Sequence, residues 1–208
     1  MRVPLLALEF LAVYAGIPLL IYFRRIPNLP IPYLLLAGLI SFLMLRGDPQ
    51  FSVARLFSWG DYRPFLASIL IRDAICLVFL SLAVRFLAPQ YLFSLIKRSP
   101  QLWLLIFFLY PLLSVYPQEL FYRAFFFQRY RPLFGSSWVM ILASAAAFGF
   151  VHIIFGNWLA VVLSAIGGIL FSTTYLRTAS LTLVWLEHAL FGDFLFTIGL
   201  GRFFFHGH

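Results

Sequence analysis

Charge is what this sequence has least of. Only 11% of its 208 residues are Asp, Glu, Lys or Arg, and 63% are hydrophobic; a soluble domain carries about 25% charged residues. A chain of this length could not hide so much apolar surface in one aqueous core. A water-soluble fold is therefore excluded, and lipid is the expected solvent. Lysine is nearly absent too, Lys97 standing against fourteen arginines. Despite a net charge of +8, the arginines form no basic stripe of the kind that binds nucleic acid, so no nucleic-acid partner is expected. They flank apolar runs instead, as at Arg24–Arg25, Arg46, Lys97–Arg98 and Arg129–Arg131. That placement suits lipid headgroups and membrane topology. The single cysteine, Cys76, excludes an intramolecular disulfide.

What the chain does have is long apolar runs. A membrane span takes roughly 20 apolar residues, which leaves room for about six to eight of them. Seven can be read, near residues 4–23, 29–45, 65–87, 102–127, 138–155, 157–175 and 180–200. The first contains Glu9 and ends at Arg24–Arg25 without a small-residue cleavage site, so it reads as a span rather than a signal peptide. Residues 50–66 mix Arg55, Asp61 and Arg63 with Phe51, Leu56, Phe57 and Trp59, which predicts an amphipathic segment at the interface. A second interfacial stretch ends at Lys97–Arg98. Pro111 and Pro117 in the fourth run predict a kink or break. Ser144, Ala145, Ala146, Ala147 and Gly149 in the fifth predict close helix packing. The expected fold is an all-α polytopic bundle forming one domain over residues 1–208. The arginine and lysine count over alternate loops favours neither orientation. The aromatic tail, Phe203 to Phe205 with His206 and His208, reads as an interfacial belt and a solvated end.

Five of the seven acidic residues lie within apolar runs: Glu9, Asp73, Glu119, Glu187 and Asp193. So do His152 and His188. An ionisable group at this depth costs about 2.5–3.5 kcal/mol on insertion scales and normally faces a partner inside the bundle. Glu119 and Arg123 are four residues apart on one helical face and can pair, beside Gln118 and Tyr122. Taken alone, that pair is a neutralised structural contact, and a lone buried histidine is a satisfied core residue. Glu119, His152 and His188 at similar depth on three helices suggest more. Such a set could bind a metal ion such as Zn2+ through His152 and His188 and activate a water. Equally, Glu119 could act as a base, with the histidines donating to an oxyanion.

Three motifs then follow in order: Gln118-Glu119-Leu-Phe-Tyr-Arg123, Phe148-Gly-Phe-Val-His152, and His188-Ala-Leu-Phe-Gly192. They resemble the Glu-Glu-x-x-x-Arg, Phe-x-x-x-His and His-x-x-x-Asn motifs of the CAAX protease and bacteriocin-processing group of intramembrane endopeptidases. Tyr175 to Leu181 resembles the approach to the third motif. The resemblance covers about residues 102–195, the expected catalytic core. It implies an endopeptidase that cuts a peptide or membrane-protein substrate at or within the membrane of a bacterial cell, the inner (plasma) membrane. It implies catalytic roles for Glu119, Arg123, His152 and His188, with Gln118, Tyr122, Phe148, Glu187 and Asp193 in support. Two positions depart from the pattern. Gln118 replaces the first glutamate and cannot act as a base, which passes that role to Glu119 or Glu187. Gly192 replaces the asparagine, whose polar function falls to Asp193. A silent scaffold of the same family and an ion-coupled transporter are the other readings. His-Glu-x-x-His, Gly-x-Gly-Asp and Gly-x-Ser-Gly are all missing.

Overall fold

A computed structural model describes residues 3–135 and 137–204. Among these, seven helices are long and apolar enough to cross a membrane: α1 (Val3–Tyr22), α2 (Pro30–Gly47), α3 (Leu66–Leu87), α4 (Pro100–Arg129), α5 (Ser137–Phe155), α6 (Trp158–Thr178) and α7 (Leu181–Ile198). No strand occurs among the described residues. Lipid accounts for the pattern of exposure. Large apolar side chains such as Phe79, Phe86, Leu87, Phe108 and Trp158 point outward. Buried within are Glu119, Arg123, Ser144, Ser172, Thr174, Thr178, Glu187 and His188. This inversion satisfies both solvents, because hydrocarbon tails welcome apolar atoms and the polar groups find partners inside.

Helix ends follow local chemistry. Asn157 caps α6, its side chain accepting from the Ala160 amide, and Ser180 caps α7 by accepting from the Leu183 amide. Pro30 and Pro100 open α2 and α4, where the missing N–H costs nothing. Pro111 and Pro117 do not break α4. The helix widens instead into π-type turns over Pro111–Val115 and Leu120–Phe125, which absorb the prolines' missing donors and ring bulk. The expected break is thus a bulge, and it lies beside Glu119.

The expected amphipathic segment over residues 50–66 is mostly irregular. Only Val53–Leu56 forms a short 3-10 turn. The chain then docks on the α6–α7 turn: Ser180 Oγ donates to the Ser58 carbonyl at 2.9 Å, and the Asp61 amide donates to the Thr178 carbonyl. Gly60, at φ +61°, sits so close to Thr178 that no side chain fits.

Close packing positions the centre. A Cβ at Gly149 would lie 2.7 Å from the Ala165 Cβ, and one at Gly168 would lie 2.8 Å from the Ala145 Cα. The backbones of α5 and α6 therefore touch, as small residues permit. Ser172 Oγ donates to Ser144 Oγ, which donates to the Tyr122 carbonyl at 2.8 Å; these bonds tie α6 and α5 to α4. Trp185 Nε1 donates to the Pro111 carbonyl at 2.7 Å, pinning α7 to the first bulge of α4. At one edge, Arg129 donates to Glu9 at 2.6 Å and Tyr130 does so at 3.0 Å. Glu9 is thus a structural partner of α4. His206 and His208 lie outside the described residues, as does Phe205.

Candidate active site

The centre of the bundle is built around Glu119. Its residue and Arg123 are fully buried, both contributed by the bulged part of α4. Arg123 Nε stands 3.1 Å from Glu119 Oε2, close enough to pair but not aligned for a hydrogen bond. On the other side, His188 Nδ1 meets Glu119 Oε1 at 2.6 Å. Three of the four expected catalytic residues thus converge, on α4 and α7. The surrounding walls are aromatic. The Arg123 guanidinium lies 4.5 Å from the centre of the Phe148 ring and 5.4 Å from that of Phe171. Phe171 also stacks on His188 with centroids 4.5 Å apart. Cation–π contact of this kind is worth about 2 kcal/mol or more where water is excluded.

His152 completes the set through a shared ring. Phe148 meets it edge-on at 5.0 Å and meets His188 at 5.4 Å. Phe155 and Phe204 close the other sides. His152 is half-buried, the more open of the two histidines. Its Nδ1 lies 2.7 Å from the Phe148 carbonyl. A carbonyl only accepts, so Nδ1 carries the proton and Nε2 of the neutral ring is an acceptor.

The supporting residues separate into two groups. Phe148 and Tyr122 belong to the site's wall, their rings 5.2 Å apart. Glu187, although adjacent to His188 in sequence, turns away to Arg72 of α3. Arg72 also binds Asp73 at 2.9 Å and donates to Thr174 at 3.1 Å. This second buried network joins α3, α6 and α7. Gln118 donates to Ser114 at 2.7 Å, one turn back on its own helix. Asp193 Oδ1 is buried and has no hydrogen-bond partner among the described residues.

Sequence reasoning missed Tyr110, whose hydroxyl lies 3.2 Å from His188 Nε2. The available signal was Gly192, the odd position of the third motif: a side chain there would collide with the Tyr110 ring.

Zn2+ ordinarily takes three or four protein ligands. Among the described residues, no group of three or more His, Cys, Asp and Glu side chains is placed to hold an ion. Glu119 Oε1 and His188 Nδ1 face each other directly, and His152 Nδ1 faces a carbonyl. As arranged, these residues do not fit a protein-held Zn2+. The Nδ1 atoms of both histidines are already engaged, with Glu119 and with the Phe148 carbonyl. With Glu119 as carboxylate, each neutral ring already spends its one N–H. Among the described residues, all three guanidinium nitrogens of Arg123 are buried donors without hydrogen-bond partners; Nε faces Glu119 Oε2, which leaves Nη1 and Nη2 for another acceptor.

Residues 100–192 match the family described as type II CAAX prenyl endopeptidase Rce1-like. That family is the one the three motifs resemble, and the matched segment holds Tyr110, Glu119, Arg123, His152 and His188. No curated protein and no solved structure matches the chain.

Proposed function

We propose that this integral membrane protein is an intramembrane endopeptidase of the bacterial inner membrane, cutting a peptide or membrane-protein substrate with a water activated by Glu119. The observation that carries this reading is the meeting of Glu119, Arg123 and His188 in one buried site that shares the Phe148 wall with His152. A purely structural ion pair would need only Glu119 and Arg123.

Each residue then has a task. His188 holds Glu119 Oε1, which leaves the lone pairs of Oε2 for a proton. His152 Nε2, an acceptor by virtue of the Phe148 carbonyl, holds the second hydrogen of the water. Two acceptors fix the water with an oxygen lone pair toward the substrate carbonyl. As that oxygen attacks the carbonyl carbon, one proton passes to Glu119 Oε2. Arg123 Nη1 and Nη2 supply positive charge to the oxyanion that forms, in a site dry enough to make that charge effective. Collapse of the intermediate breaks the C–N bond. Glu119 returns its proton to the leaving amine, and the products are a carboxylic acid, which keeps the water's second hydrogen, and an amine; that hydrogen then passes from acid to amine as they part as carboxylate and ammonium. Substrate and water enter past His152, the more open histidine. No protein-held metal is needed in this scheme.

The test is cleavage of a peptide library by purified protein in detergent. Glu119→Gln and His152→Ala should each lower the rate by about 10²–10⁴, the range expected for a lost proton acceptor. A wild type that cleaves no peptide would favour the silent scaffold. Proton-coupled flux in proteoliposomes would favour transport.

A further inference from the structure

The third motif lacks its polar end, and the structure places a different polar group there. Tyr110 lies on α4, 78 residues before His188, and belongs to none of the three motifs. Its ring packs directly on the α7 backbone at Gly192. A Cβ built on Gly192 would run into the ring carbon Cε1, Cζ and the hydroxyl of Tyr110. An asparagine at 192 and a tyrosine at 110 therefore cannot coexist in this geometry. The same ring leans edge-on against Phe196 with centroids 5.4 Å apart, so its hydroxyl is held toward His188 Nε2 at 3.2 Å.

We propose that Tyr110 and Gly192 act as a matched pair that replaces the missing polar group, with Tyr110 as the positioning residue for His188. With Glu119 as carboxylate, His188 Nδ1–H donates to Oε1 and Nε2 accepts from the Tyr110 hydroxyl. The three side chains form one line from phenol to imidazole to carboxylate. That line fixes the histidine tautomer and ring plane, as an orienting group does in a hydrolytic triad. It thereby keeps Oε1 engaged and Oε2 free. A hydroxyl both donates and accepts, so Tyr110 can also follow His188 if Nε2 becomes protonated.

The inference rests on the proposed endopeptidase activity, and two separate readouts test it. In 15N-histidine spectra of the purified protein, wild-type His188 should show a single tautomer with the proton on Nδ1. Tyr110→Phe keeps the ring against Gly192 and removes only the hydroxyl; it should shift the His188 Nε2 signal and mix the tautomers. In the peptide assay the same variant should lose about tenfold in kcat with KM little changed, the size expected for one hydrogen bond. Tyr110→Ala with Gly192→Asn should recover more of the rate lost by Tyr110→Ala than does Tyr110→Ala with Gly192→Leu, which refills the same space without a polar group; a merely structural role would not favour the asparagine. An unchanged His188 spectrum, or an unchanged kcat in Tyr110→Phe, overturns the proposal. If the wild type cleaves nothing, the endopeptidase reading falls, and the His188 spectrum alone decides whether Tyr110 positions this histidine.

Discussion

Arg72→Ala should be the most damaging single change outside the candidate active site, and its cost can be worked from the buried network. Arg72 holds two carboxylates, Asp73 and Glu187, whose side chains are only 7% and 2% exposed. Its own side chain is 24% exposed, so solvent reaches the guanidinium but scarcely the acids. Removing it leaves two buried carboxyl groups without the guanidinium beside them, which must then carry charge unpaired or take up protons. Breaking a buried pair in this way costs about 3–5 kcal/mol, chiefly through the uncompensated charge left behind. At roughly 2–4 °C per kcal/mol for a chain of this size, the melting temperature should fall by about 6–20 °C. Glu187→Gln is different in kind. It removes the surplus negative charge and keeps an acceptor for Arg72, so its shift should stay within about 1 kcal/mol, or a few degrees. Thermal unfolding of detergent-purified variants, followed by tryptophan fluorescence, measures both. An Arg72→Ala protein that melts with the wild type would refute the reasoning. A Glu187→Gln protein that melts normally but cleaves no peptide would move the catalytic base to α7.

Other changes separate packing from chemistry. Gly168→Val should destabilise by about 1–3 kcal/mol through overpacking against Ala145, read as a lowered melting temperature. Gln118→Ala should retain measurable cleavage, because its amide serves Ser114 on the same helix; Gln118→Glu should preserve or raise the rate. Arg123→Met should both abolish cleavage and lower stability by about 3–5 kcal/mol, since Glu119 is then buried without its cation; activity lost at unchanged melting temperature would show that Arg123 is not the buried partner of Glu119.

Much of the architecture could be read because lipid imposes one strong demand, unbroken apolar length. The first expected span, residues 4–23, is α1 at Val3–Tyr22, and the third, residues 65–87, is α3 at Leu66–Leu87. The interface was harder. Arg55, Asp61 and Arg63 among aromatic residues have the composition of an amphipathic helix, yet tertiary bonds to Thr178 and from Ser180 hold residues 58–61 in a non-helical turn. The prolines of α4 show a related effect: a continuous helix can widen rather than break when its neighbours support it. Glu119, Arg123 and His188 could be brought together from charge in apolar runs and motif order. Direction was not legible: the sequence places Glu187 beside His188, but one helical step of about 100° turns it toward Arg72. Tyr110 was hidden because its role depends on an absent side chain at Gly192, 82 positions away.

The most direct measurement compares peptide cleavage by the wild type, Glu119→Gln and His152→Ala, each with and without a chelator. The account predicts that the wild type cleaves equally in both conditions and that both variants lose at least about a hundredfold. Glu119→Gln cleaving at the wild-type rate would contradict it.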